Sequence, residues 1–165
     1  VAYSFAVAGL GAGAIDNQAP WMIMAAVMAS GMVAPLAMAL ASTVLARRLF
    51  SPVEKENGKA AWLLGASFIS EGAIPFAAAD PLRVIPASAI GSAVTGGIIM
   101  AAGVTSQAPH GGVFVFFAIN PFPMFLLAIL AGTVVAALIV VALKRFTVRG
   151  NRAVVPEAAK IPVAA

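Results

Sequence analysis

A single carboxylate, Glu71, interrupts the otherwise uncharged stretch between Lys59 and Asp80. It stands in Ser70-Glu71-Gly72-Ala73-Ile74-Pro75-Phe76. Pro75 has no N–H to offer the Glu71 carbonyl, and Gly72 loosens the backbone beside it, so a helix is expected to break here. A carboxylate placed in hydrocarbon costs at least about 2.5–3.5 kcal/mol, and residues of this kind face cavities and mark pathways for polar substrates. Ionised, Glu71 can accept hydrogen bonds from two hydroxyls; protonated, it can accept one and donate one. Both forms suit a ligand rich in hydroxyls. The competing use is a structural ion pair with Arg83, which at membrane depth contributes little net stability.

Two further groups accompany it. Asp80-Pro81-Leu82-Arg83 reads as a helix start, with Asp80 as cap and Pro81 in the first turn. Arg83 opposes the positive end of the helix dipole, so it needs a partner: Glu71, Asp80 or a phosphate. Ala108-Pro109-His110-Gly111-Gly112 holds the only histidine, followed by two glycines that permit close backbone approach. His110 is either a ligand contact or an interfacial turn residue. A histidine with no Cys, Asp or Glu at ligand spacing is a poor metal site, and no metal or cofactor is expected. The absence of cysteine removes disulfides and thiol chemistry from this chain.

The elements that must hold these residues are membrane helices. Of 165 residues, 62% are hydrophobic and 10% charged, against roughly a quarter charged in soluble domains. The cations flank apolar segments and do not line one face, which argues for positive-inside topology and against nucleic-acid binding. The run from Trp21 to Ala46 predicts one span, with Pro35 kinking it unless a neighbour compensates, and Arg47 and Arg48 ending it on the cytoplasmic side. The mixed-charge stretch Ser51–Lys59 reads as a loop turning at Asn57-Gly58. Leu82–Val104 predicts a second span. Asn120 as cap and Pro121 in the first turn introduce a third, Met124–Leu143, closed by Lys144 and Arg145.

Two basic ends on one side require an even number of crossings between them. The spans at Leu82–Val104 and Met124–Leu143 already supply two. Ala60–Ala79 is therefore expected to enter and leave on one side as a re-entrant hairpin, with Val113–Ile119 a shorter excursion from the other. Both must be shielded from lipid by protein or face a water-filled cavity. On the second span Ala87, Gly91 and Thr95 form one stripe and Ser88, Ser92 and Gly96 another, suited to close helix packing or to a hydroxyl-lined path. Val1–Ile15 reads as the far end of a truncated helix and Asp16–Pro20 as a polar turn, so the chain is taken as the C-terminal part of a longer protein. The tail over 151–165 is expected to be flexible and cytoplasmic.

Three stretches, SEGAIPFAAADPLRVIP (70–86), GSAVTG (91–96) and APHGG (108–112), resemble the enzyme IIC domain of fructose phosphotransferase permeases in content and order. The family's first run is close to TEGAIPFAAADPLRVIP, so Ser70 replaces a threonine. Ala2-Tyr3-Ser4-Phe5 looks like the end of the family's DMGGPxNKxAYxF segment, whose beginning is not present. The resemblance implies an all-α membrane bundle with a re-entrant hairpin, here the C-terminal portion of a IIC domain over 1–150. It implies a homodimer in the bacterial inner membrane that moves fructose or a close relative. The sugar becomes fructose 1-phosphate on a separate IIB domain, charged through IIA. By the same resemblance the sugar-contacting glutamate falls on Glu71, with Gly72, Ala73, Arg83 and His110 as further candidates. The rival expectation is an ion-coupled transporter of an unmodified polar substrate, with Glu71 and Arg83 as a proton relay.

Overall fold

The computed structural model describes residues 19–154, with side chains to Phe146. The expectations for Val1–Ile15, Asp16–Gln18 and residues 155–165 fall outside them. Among the described residues, three helices are long and apolar enough to cross a membrane: Pro20–Leu45, Pro81–Ala101 and Phe122–Phe146. The first joins α1 (Ala19–Leu40) to a π-helical turn at Ala41–Leu45. Pro35 lies inside α1 without ending it, packed in the core and against Gly72.

α2 (Pro52–Ala66) overturns the loop expected at Ser51–Lys59. Ser51 Oγ accepts from the Glu54 amide at 3.2 Å while the Glu54 carboxylate accepts from the Ser51 amide at 2.7 Å. With Pro52 in the first turn, this reciprocal cap starts a helix that runs through Asn57-Gly58, so no turn forms there. Gly58, Ala61 and Gly65 are its buried residues. Gly58 lies against Ser42 and Thr43, Gly65 against Leu36, and the Phe68 ring sits on Gly31. α2 thus runs antiparallel to α1. At about 1.5 Å per residue Gly31 is roughly 21 Å from Leu45 along a span of roughly 39 Å, so the chain turns near mid-depth.

It returns through a 3₁₀ turn at Ser70–Ala73 and the short α3 (Ile74–Ala79). The discontinuity expected at Glu71 is therefore present, and the hairpin is a helix out and a broken helix back. α4 (Pro81–Ala101) then crosses to the far end. Asp80 precedes it, but its side chain makes no cap hydrogen bond; it takes Arg83 instead, 2.6 Å away.

At the far end α4 closes through Gly103, in left-handed conformation at φ 65°, with the Val104 amide donating to the Ile99 carbonyl, a common helix terminus. β1 (Thr105–Ser106) and β2 (Ile119–Asn120) pair antiparallel, Thr105 opposite Asn120, and between them lies a 3₁₀ segment, Gly112–Ala118. Asn120 is thus a strand residue and not the expected cap. The Pro121 carbonyl receives the first helical amide, from Phe125, and α5 (Phe122–Val154) begins after a cis Asn120-Pro121 bond.

The two stripes on α4 serve packing. Gly91 meets Ala136 and the Gly132 carbonyl of α5, and Thr95 Oγ1 donates to the Ala128 carbonyl at 3.0 Å. On the other stripe Ser92 Oγ donates to the Ser30 carbonyl at 2.9 Å, and Ser30 Oγ to the Ser92 carbonyl at 3.1 Å. Such interhelical bonds average only about 0.6 kcal/mol each in membranes, so close packing of small residues carries most of the association.

Candidate functional site

The hairpin tip and the His110 loop meet inside the bundle. Phe68 closes the tip at φ 64°, a left-handed conformation uncommon for a bulky residue. Gly112, at φ 60°, lies directly on the Ala66 carbonyl and the Ser67–Phe68 backbone, where no Cβ fits. A side chain at 112 would therefore push the two loops apart. Beside this contact an open cleft of about 520 Å³ is lined by Phe68, Ile69, Glu71 and His110.

Glu71 and His110, from separate loops, are thus brought to one cavity, and both are exposed. Gly72 and Ala73 are buried behind Glu71. Gly72 packs on Leu64 and Pro35, where a Cβ would stand 3.1–3.3 Å from both side chains. Their place is behind the carboxylate, holding its backbone, and not on the cleft wall. The arrangement offers one carboxylate, one imidazole and two apolar walls. That suits a small polyol with hydroxyls on one edge and C–H faces on the other.

Arg83 is elsewhere, at the basic end. There Lys144 Nζ lies 3.1 Å from Glu54 Oε1, 4.0 Å from Asp80 Oδ2 and 4.1 Å from the centre of the Phe50 ring, while Arg83 holds the other side of Asp80. Glu71 forms no ion pair with Arg83, so the relay that an ion-coupled carrier needs between them is not assembled. Partial burial pushes the Glu54 pKa up, but the Ser51 amide and the Lys144 ammonium outweigh it and hold the carboxyl below its ordinary value. The Lys144 cluster escaped the sequence because its members come from three elements. The only signal was opposite charge, Glu54 and Lys144, at the ends of separate apolar segments.

The chain is 58% identical over 125 residues to the PTS system fructose-specific EIIB'BC component of Escherichia coli (strain K12), covering 74% of this chain and 22% of that protein. It is 50% identical over 144 residues to the fructose permease IIC component of Bacillus amyloliquefaciens, covering 87% of this chain and 45% of that protein. With the PTS system fructose-specific EIIC component of Haloferax volcanii it shares 49% over 144 residues, 87% of this chain and 36% of that protein. Relatives named IIC alone match over as much of the chain as the fused ones do, so the shared part is IIC. The chain belongs with the IIC domains of the phosphotransferase system. It spans less than half the length of these relatives. No family model matches this IIC segment, and no solved structure does. Among the described residues, three apolar helices, a mid-depth hairpin and almost no strand agree with an all-α membrane IIC domain.

Proposed function

We propose that this segment holds the sugar in a fructose permease of the phosphotransferase system, in the cleft between the hairpin tip and the His110 loop. The observation that carries the reading is the meeting of Glu71 and His110 in that one cleft. The Glu71 carboxylate accepts hydrogen bonds from two sugar hydroxyls, and His110 contributes a third polar contact. Phe68 and Ile69 cover the C–H face. Gly72 and Ala73 act as positioning residues, fixing the backbone that presents Glu71.

Transport then carries the sugar toward the basic end of the bundle, which the positive-inside rule places in the cytoplasm with the C-terminal tail. There a IIB domain, charged through IIA, phosphorylates it. The sugar's primary hydroxyl oxygen forms a bond to phosphorus, the bond from phosphorus to the carrier breaks, and the hydroxyl proton leaves; the product is fructose 1-phosphate. None of these atoms belongs to this chain, whose task is orientation. The relatives' names and the polar cleft support this reading, and the resemblance adds two copies working together in the inner membrane.

The test is Glu71→Gln in the full permease, assayed for fructose uptake and phosphorylation with charged IIB present. Hydrogen bonds to a charged group are worth about 1.5–3 kcal/mol, so a fall of roughly 10- to 100-fold in uptake is expected. His110→Ala should lose less. Unchanged uptake in Glu71→Gln, or uptake that persists without charged IIB and follows a proton gradient, overturns the proposal.

A further inference from the structure

At the basic end, away from the sugar cleft, three arginines converge. The helical path of α1 stops at Ala46, at φ −144°, after a π turn whose last amide reaches back to the Ala41 carbonyl at 3.0 Å. The chain then hooks sideways as a 3₁₀ turn, Arg47–Leu49, toward the side of α5. Arg47, Arg48 and Arg145 line the resulting cleft of about 420 Å³ together with Leu45 and Leu49. The cations nearby, Lys144 and Arg83, are engaged by Glu54 and Asp80. Arg47, Arg48 and Arg145 have no acidic partner among the described residues, so unneutralised positive charge collects in this cleft.

A second cleft of about 420 Å³ opens beside it, lined by Leu138, Val141, Ala142 and Phe146, and shares Arg145 with the first. It runs down α5 from the charged end toward the middle of the span. Its walls are apolar and open, with Leu138 53% and Phe146 72% exposed. A basic pocket at the membrane boundary continuous with an apolar groove along a spanning helix has the layout of a phosphate head and an acyl chain.

We infer that these two clefts form one binding site for an anionic glycerophospholipid in the leaflet at the basic end. The head-group phosphate sits among Arg47, Arg48 and Arg145, and one acyl chain lies along Leu138, Ala142 and Phe146. Guanidinium groups suit this head group because they bind phosphate oxygens in pairs. The apolar groove selects lipid over a soluble anion, and over the polar surface of a soluble partner domain. Binding here anchors the hook after α1 to α5.

The experiment uses the full permease in nanodiscs of phosphatidylcholine containing a minor fraction of phosphatidylglycerol, released into native mass spectrometry to count retained lipids. Phosphatidylglycerol should be retained over phosphatidylcholine. Each basic residue near an anionic surface changes affinity by about fivefold, so Arg47→Gln/Arg48→Gln/Arg145→Gln should lower retention by roughly 100-fold. Ala142→Trp, which fills the groove and keeps all three cations, should also lower phosphatidylglycerol retention. Inorganic phosphate added at millimolar concentration should displace little lipid. Equal retention of the two lipids, or full displacement by inorganic phosphate, overturns the assignment. So does a triple variant that keeps its lipid but loses association with the IIB domain, which would make the cleft a protein interface. Chromatographic profiles matching the unmodified permease separate loss of lipid from loss of fold.

Discussion

Lys144 ties together residues that the chain keeps far apart: Glu54 on α2, Asp80 at the end of the hairpin, and the Phe50 ring. Its side chain is 12% exposed, and those of Glu54 and Asp80 are 14% and 12%, so this pair is closer to a buried ion pair than to a surface one. Removing one partner strands the others, and Lys144→Met should cost on the order of 3 kcal/mol. It should appear as a lowered melting temperature of the full permease in detergent, with Glu54→Gln/Lys144→Met less than additive. The sign of the pH effect follows from Glu54. Its folded carboxyl is held below 4.5, so its stabilisation is present above that ordinary value and is lost as pH falls through the lower folded value. Melting temperature should therefore drop on acidification below about pH 4.5, and the drop should be smaller in Glu54→Gln. Sequence showed Glu54 only as a loop charge and Lys144 only as a membrane boundary. The contact spans 90 residues, and no local pattern announces it.

The hairpin is the element whose shape decides whether the proposed sugar cleft exists, and two glycines set it. Gly112 packs on backbone, the Ala66 carbonyl and the Phe68 amide, and sits at φ 60°. Gly31 faces only the Phe68 ring, which can rotate. Gly112→Ala is therefore expected to be the more damaging substitution. It should abolish most sugar binding, measured by equilibrium binding to the purified permease, while Gly31→Ala causes a partial loss. Comparable losses, or a milder Gly112→Ala, would place the cleft elsewhere. The existence of this hairpin was legible because basic ends at Arg48 and Lys144 left an even number of crossings, and Gly72 with Pro75 marked the break. Its first arm was not. A stretch with four charged residues between Val53 and Ala60 looks like a loop until the reciprocal Ser51–Glu54 cap is seen, and capping then outweighs composition. Asn120 misled in the opposite direction: a good capping residue by type, it is paired with Thr105 in the short ladder, and Pro121 supplies the carbonyl that starts α5.

At the scale of the whole chain, the arrangement is two spans in opposite directions, α4 and α5, beside α1, with one loop entering from each side and the two tips touching. The small-residue stripes of α4 hold this bundle; their spacing offered that packing role beside a hydroxyl-lined path, and the contacts with α1 and α5 favour packing. The choice of Glu71 and His110 as neighbours was not, because it depends on both loops reaching the same depth. This topology makes a directional prediction. In the full permease, single cysteines at Glu56 and Gln107 should label from opposite faces with a membrane-impermeant thiol reagent, because they lie at opposite ends of the bundle. A cysteine at His110 should react from the Gln107 side when the cleft is open there, and substrate should slow that reaction by several-fold through occupancy of the cleft. This chain has no cysteine of its own, so peptide mass spectrometry can assign each adduct to the introduced position. Labelling of Glu56→Cys and Gln107→Cys from one face would require an even number of crossings between them, whereas α4 is the one helix between them long and apolar enough to cross.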